Sequence, residues 1–212
     1  MNKGDYIDGV IQRMNELGWD DTYTGTFAGS DTSKVEKQVE KTFVDAWIKS
    51  FEILPRSYYV HKSFIGQQHK FDTIQGTGQV LVPEDFYVLA SFKMKGWRRE
   101  CLTASAQNEH NLNVQSNEYV RGNCYRPFCI RTKGEKDTIT YYSLPTGSEH
   151  EIEKAIYIAL PKSIDDVEIQ HPQLIVPLQW VHASVVFTTF EKYEQANAAM
   201  SALSNGNSKF KN

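Results

Sequence analysis

The stretch Phe128-Cys129-Ile130-Arg131-Thr132, Lys133-Gly134-Glu135-Lys136-Asp137, Thr138-Ile139-Thr140-Tyr141-Tyr142 reads as two strands joined by a charged turn. β-Branched and aromatic residues fill both arms, and glycine sits in the connector, which is the pattern of an antiparallel hairpin. Working outward, Phe86–Lys95 has a strand pattern, with Tyr87, Leu89, Ser91 and Lys93 on one parity and Phe86, Val88, Ala90, Phe92 and Met94 on the other. Ile152–Leu160 is a further strand, ended by Pro161, and Tyr58–Ile65 is rich in strand formers up to Gly66. Two polar stretches, 66–79 and 103–118, read as exposed loops, the second dense in Asn, Gln and Ser.

The period changes at both ends of the chain. Ile7, Val10, Ile11, Met14 and Leu17 repeat at helical spacing, and Gly18 is a natural stop. Residues 18–33 read as a loop. Ser33 with Glu36 has the form of a capping box opening a second helix, whose stripe is Val39, Phe43, Ala46, Trp47 and Leu54 before Pro55. Near the C-terminus, Pro177 suits a first helical turn, and neither Pro nor Gly follows before about Ala202. One long helix over 172–203 is expected, with a loose tail at 204–212. The class is α+β in a single domain: a helical pair in 1–54, a mainly antiparallel sheet region in 55–162, and the long C-terminal helix.

The 212 residues carry 23 basic and 26 acidic side chains, net −3, which argues against a protein built mainly to hold nucleic acid. No run approaches the ~18 apolar residues of a membrane span. Met1-Asn2-Lys3-Gly4-Asp5 lacks a signal-peptide pattern, so synthesis in a cytoplasm is expected. Charge is unevenly spread: net −4 over 1–54, +4 over 55–146 and −3 over 147–212. Opposite blocks can steer identical subunits together, or can simply lie on separate solvated faces.

Motifs for chemistry are sparse. Cys101, Cys124 and Cys129 make an odd count, which is no disulfide framework. The Cys124–Cys129 spacing lacks a second ligand pair for zinc, and His110 and His150 supply no paired spacing. Three small buried side chains is the plainer reading, and no metal or other cofactor is expected. Gly76-Thr77-Gly78 leads into a strand, the reverse of a dinucleotide fingerprint. Asp20-Asp21 and Asp165-Asp166 with Glu168 read as solvated turns rather than a cation site. His182 falls inside the long helix as a core-edge or interface residue. No catalytic constellation emerges, so no enzyme is expected. Lys93, Lys95, Arg98, Arg99, Arg121, Arg126 and Arg131 alternate with Trp97, Tyr119, Tyr125 and Phe128. Such a stretch suits a protein interface or, alternatively, a non-catalytic nucleic-acid-binding module over 93–131.

Val82-Pro83-Glu84-Asp85-Phe86-Tyr87-Val88-Leu89-Ala90-Ser91-Phe92 resembles the Leu-Pro-x-Asp-Phe-hydrophobic strand entry of neck and tail-adaptor proteins of tailed phages. Leu178–Val186, followed by Phe190–Ala196, resembles the closing helix of the same proteins. Tyr141-Tyr142 with Leu144-Pro145, and the opening helix Tyr6–Met14, fit the same order. The whole is most similar to virion ring proteins of short-tailed, crAss-like phages of Bacteroidetes, although the polar 103–118 stretch has no counterpart there. The resemblance implies a head-tail connector: a virion structural protein, made in the bacterial host cytoplasm and built into the neck or tail. Its partners would be copies of itself in a closed, twelvefold ring (a dodecamer), the portal protein, and adjacent ring or tail hub proteins. Double-stranded DNA would pass through the ring without sequence reading during genome ejection. No membrane partner is implied. Candidate interface residues are Trp97, Arg98, Arg99, Asn108, His110, Asn113, Arg121, Tyr125, Arg126, Trp180, Phe187, Phe190 and Tyr193.

Overall fold

A computed structural model of the chain describes residues 2–19, 30–72, 76–117, 119–142, 144–145, 147–169 and 171–207. The architecture is α+β, in two compact units. One comprises Met1–Val60 with Leu160–Asn212, and the other His61–Ala159.

The first unit is helical. Helix α1 (Lys3–Glu16) is capped by the Asn2 side chain, which accepts from the Gly4 amide at 2.9 Å. Tyr6, Ile7, Val10 and Met14 form its buried face. Gly18, at φ 74°, ends it, with the Trp19 amide donating to the Met14 carbonyl and the Gly18 amide to that of Asn15. Helix α2 (Ser30–Ile53) begins before Ser33, so the expected capping box lies inside the helix rather than at its start. Buried Ser50 donates to the Trp47 carbonyl at 2.7 Å and so accepts from the Tyr59 hydroxyl at 2.9 Å.

The helical stretch expected over 172–203 is present and reaches Asn207, but a turn divides it. A short 3-10 turn at Pro172–Leu174 leads into α4 (Ile175–Thr189), and α5 is Tyr193–Asn207. The break repeats the closure of α1: the Lys192 amide donates to the Phe187 carbonyl, and Glu191 to Thr188. Here the left-handed position is Glu191, at φ 59°, where glycine is usual. No glycine marks this end, so the division leaves no trace in the residue pattern. Helix α4 is buried on most sides because α1, α2 and α5 all pack on it. The tail begins later than expected: 204–207 is helical, and 208–212 lies outside the described residues.

The second unit holds two sheets. Strands β1 (His61–Ser63), β8 (Ile152–Ala159) and β4 (Phe86–Met94) form an antiparallel sheet in the order β1-β8-β4. The other sheet has the order β2-β3-β7-β6-β5, from β2 (His69–Asp72), β3 (Thr77–Leu81), β7 (Thr138–Tyr142), β6 (Phe128–Thr132) and β5 (Ala104–Ala106). The hairpin of β6 and β7 is in register from Thr132↔Thr138 to Phe128↔Tyr142. Strand β5 runs parallel to β6.

Three expectations change in this unit. The stretch 66–79 is not one loop, because it contains β2 and the start of β3. The stretch 103–118 contains β5 and helix α3 (Glu109–Ser116). Strand β4 does not alternate simply, because its register shifts against β8 at three places. It buries Phe86, Leu89, Ser91, Phe92 and Met94, since each bulge re-phases the side chains.

Tyr141 is the hub of this core. It is fully buried, beside Phe92 and Trp97. A Cβ on Gly78 of the neighbouring strand would collide with the Tyr141 phenol. Gly78→Ala is therefore expected to destabilise the unit by about 1–3 kcal/mol through overpacking. Urea denaturation followed by circular dichroism measures it, and an unchanged midpoint would show that Tyr141 can give way.

Candidate interaction surface

Between β4 and β6 the chain makes an excursion that Trp97 and Cys101 anchor in the core and that side-chain amides order at the surface. Gly96, at φ 95°, turns the chain after β4. Trp97 swings back into the core, 3% exposed, against Phe92 and Tyr141. Arg98 and Arg99 stay outside, and the Arg98 amide donates to the Cys124 carbonyl at 2.8 Å. That bond brings the start of the excursion beside its end.

Asn108 caps α3 by accepting from the Asn111 amide at 2.7 Å. The Gln115 side chain is buried, and its Oε1 accepts from the Gly122 amide at 3.0 Å. The Asn117 side chain accepts from the Tyr119 amide, and Asn123 from those of Tyr125 and Arg126. Asn123 and Arg126 also exchange both backbone bonds, at 3.1 and 2.9 Å, which puts Cys124 and Tyr125 at the tip of a tight turn. The Asn and Gln content that suggested a loop supplies these caps and turns.

The excursion displays large apolar side chains. Leu102, Leu112, Tyr119, Val120 and Tyr125 are exposed, Tyr119 at 96% and Tyr125 at 62%. The basic side chains of 93–131 fall into two groups. Lys93 pairs with Glu153 at 2.7 Å, and Lys95 with Glu149 and Glu151 at 2.8 and 2.7 Å. Those carboxylates raise the Lys95 ammonium above its ordinary range. Arg131 forks onto Asp137 at 2.7 and 3.2 Å, donates to the Tyr87 and Phe86 carbonyls, and lies over the Phe86 ring. Its guanidinium holds the Asp137 carboxyl below the usual range. These three are structural. Arg98, Arg99, Arg121 and Arg126 are exposed and, among the described residues, form no ion pair.

The remaining candidate interface residues separate by burial. Asn108, His110 and Asn113 are exposed at and on α3. Tyr193 is exposed at the start of α5, and Phe190 is 39% exposed with its ring 5.2 Å from that of Trp19. Trp180 is half-buried under the Arg13 guanidinium. Trp97 and Phe187 belong to the cores and offer no surface to a partner. Their aromatic area is spent inside each unit, which residue type alone does not reveal. The exposed apolar residues Leu102, Leu112 and Val120 were missed; their position between four arginines was the available signal.

Two polar clusters lie elsewhere. Tyr141 Oη meets His69 Nε2 at 2.7 Å and His150 Nδ1 at 2.5 Å. One phenolic proton serves only one of them, so the other imidazole donates. Burial lowers both histidine pKa values, with His150 repelling the charged form of His69 and Asp72 partly favouring that of His150. The Phe71 ring stacks on His150 at 4.5 Å. In the helical unit, His182 is fully buried, between Tyr6 and Thr42. A shallow groove of about 370 Å³ on β2, β3 and β7 is lined by Lys70, Asp72, Gln79, Thr140 and Tyr142, among others.

Among the described residues, no three His, Cys, Asp or Glu side chains are grouped to hold a metal ion. Asp165 and Asp166 lie in a 3-10 turn, where Ser163 donates to Asp166 at 3.0 Å, while Asp20 and Asp21 lie outside the described residues. Among the described residues, no helix is long and apolar enough to cross a membrane. No protein-family model and no curated protein matches the chain.

Proposed function

We propose that this chain is a virion structural subunit that forms a symmetric ring in the portal–neck–tail assembly of a tailed phage, with the 98–126 excursion as a contact surface. The observation that carries the reading is the pairing of exposed Tyr119, Tyr125, Leu102 and Leu112 with four exposed arginines that form no ion pair among the described residues. Aromatic residues and Arg are the side chains enriched where proteins meet. The two units also differ in charge. The helical unit has 11 basic and 15 acidic residues, net −4; the sheet unit has 12 and 11, net +1. A ring needs two different patches that complement each other around an axis, and this difference supplies a direction for docking. The role is non-catalytic: the ring extends the DNA exit channel and links the portal to tail components. The likeness to crAss-like phage ring proteins supports the same reading.

Quantitative mass spectrometry of purified virions tests it. A copy number equal to the portal's, or a small multiple of it, is the expected result, and absence from virions would overturn it. Tyr119→Ser with Tyr125→Ser is expected to leave the circular dichroism spectrum and melting temperature unchanged while cutting incorporation at least several-fold. Both side chains are already in water, so their removal exposes no core.

The same arginines and tyrosines favour a second reading, a non-catalytic nucleic-acid-binding module. Exposed cations with exposed rings grip single strands by charge and stacking. Binding that weakens steeply with salt, and that Arg121→Ala with Arg126→Ala abolishes, would favour it over the ring.

A further inference from the structure

Two exposed patches of this chain set opposite charges beside aromatic rings. The first is the tip of the excursion, where Arg121 and Arg126 stand beside Tyr119 and Tyr125, all four exposed. Carboxylates of the same unit are engaged elsewhere. Glu100 accepts from Ser91 at 2.6 Å and from Lys154 at 3.0 Å, and Asp137 holds Arg131. The second patch is the corner between α4 and α5. Phe190 is 39% exposed there and Tyr193 61%. Glu191, turned out at φ 59°, and Glu194 are exposed beside them. Among the described residues neither glutamate forms an ion pair. The intervening cation, Lys192, lies 4.1 Å over the Trp19 ring instead.

We propose that the tip of the excursion of one copy docks on the α4–α5 corner of a second copy. Arg121 and Arg126 meet Glu191 and Glu194, and Tyr119 and Tyr125 meet Phe190 and Tyr193. The proposal rests on the ring reading, whose contact surface it supplies with a partner. Charge selects the pairing. Tip against tip would set arginine against arginine, and corner against corner glutamate against glutamate, so only the unlike pairing is attractive. Side-chain chemistry favours the same match. A guanidinium forks onto a carboxylate and also stacks on an aromatic face, and the corner offers both groups together. Because the two patches differ, each copy keeps one of each kind free for the next, and the contact repeats around an axis.

Sedimentation velocity of the purified full chain over a rising concentration series tests it. The wild type is expected to sediment faster as concentration rises, and less so at high salt. Arg121→Glu with Arg126→Glu, and separately Glu191→Arg with Glu194→Arg, are each expected to move association to concentrations about tenfold higher or more, because each sets like charges in contact. An equimolar mixture of the two variants restores the unlike contacts in alternation and is expected to associate as the wild type does. Glu191→Gln with Glu194→Gln keeps the side-chain size and removes the charge. It is expected to weaken association too, so the contact stays testable if a reversed variant does not fold. A wild type that stays monomeric throughout, a glutamine variant that associates unchanged, or two folded reversals whose mixture does not recover would overturn the contact. Virion copy number separates this outcome from the ring reading. Presence at the portal's copy number without recovery in the mixture removes this contact alone, whereas recovery with absence from virions keeps the contact and removes the ring.

Discussion

Phe187→Ala is expected to lower the unfolding free energy of the helical unit by about 3–5 kcal/mol, the usual cost of deleting a sealed aromatic ring. Phe187 is fully buried on α4, the helix on which α1, α2 and α5 all pack. Its ring also lies 5.8 Å from that of Trp19, which follows the closure of α1. Against a typical total stability of about 5–15 kcal/mol, that loss is large. Urea denaturation followed by far-UV circular dichroism measures it as a fall in midpoint at unchanged slope. Trp180→Ala is the control. That ring is half-buried beneath Arg13, so its loss is expected to cost about 1–2 kcal/mol. Equal losses at the two positions would contradict the packing described here.

Acidification is expected to weaken the helical unit through His182. Thr42 Oγ1 donates to the Gln38 carbonyl at 2.7 Å, so at 3.0 Å it accepts from His182 Nε2–H. His182 Nδ1 is then the bare nitrogen, accepting from the Tyr6 hydroxyl at 3.0 Å. The ring is thus neutral and satisfied on both sides. A second proton would leave Tyr6 facing an N–H in a sealed site. Burial lowers the His182 pKa from 6.5 to about 3, opposed in part by a backbone hydrogen bond at Val39. The unfolded chain therefore binds a proton between about 6.5 and 3 that the folded chain refuses. Stability is retained above 6.5 and falls as the pH drops through that window, by about 1.4 kcal/mol per pH unit at most. Between pH 7 and pH 5 the expected loss is about 2 kcal/mol. His182→Gln keeps a donor and an acceptor but does not titrate, so its stability should be lower at pH 7 and flatter with pH. Parallel pH profiles for the two proteins would show that His182 is not the group responsible.

The elements legible in the sequence were those whose signal is local. Gly18 stops α1 because it alone reaches the left-handed geometry without strain. The hairpin of β6 and β7 formed where β-branched residues flank a charged glycine turn. The apolar faces of α1 and α2 needed only helical spacing. Glu191 shows the opposite case. It takes the same left-handed conformation as Gly18 without a glycine to mark it, so the C-terminal run looked continuous. Ser33 carried a valid capping pattern, yet the helix begins three residues before it.

The candidate surface was partly legible. Arginine and tyrosine composition marked 93–131, but composition does not distinguish a paired cation from a free one. Lys93, Lys95 and Arg131 are neutralised by carboxylates, and those of Lys93 and Lys95 lie more than fifty residues away. Arg98, Arg99, Arg121 and Arg126 are left free because no acid is brought to them among the described residues. Trp97 was drawn inward by the Gly96 turn, although Lys95, Arg98 and Arg99 around it are charged.

The sequence by itself determined the α+β class, both helical ends, the antiparallel hairpin and the uneven charge, because each follows from spacing or composition within a few turns of chain. Only the tertiary structure decided that β5 pairs parallel to β6, that His182 is sealed between Tyr6 and Thr42, and which arginines face water. Each of these depends on groups far apart in the chain, and burial and hydrogen bonding act on distance in space rather than along the sequence.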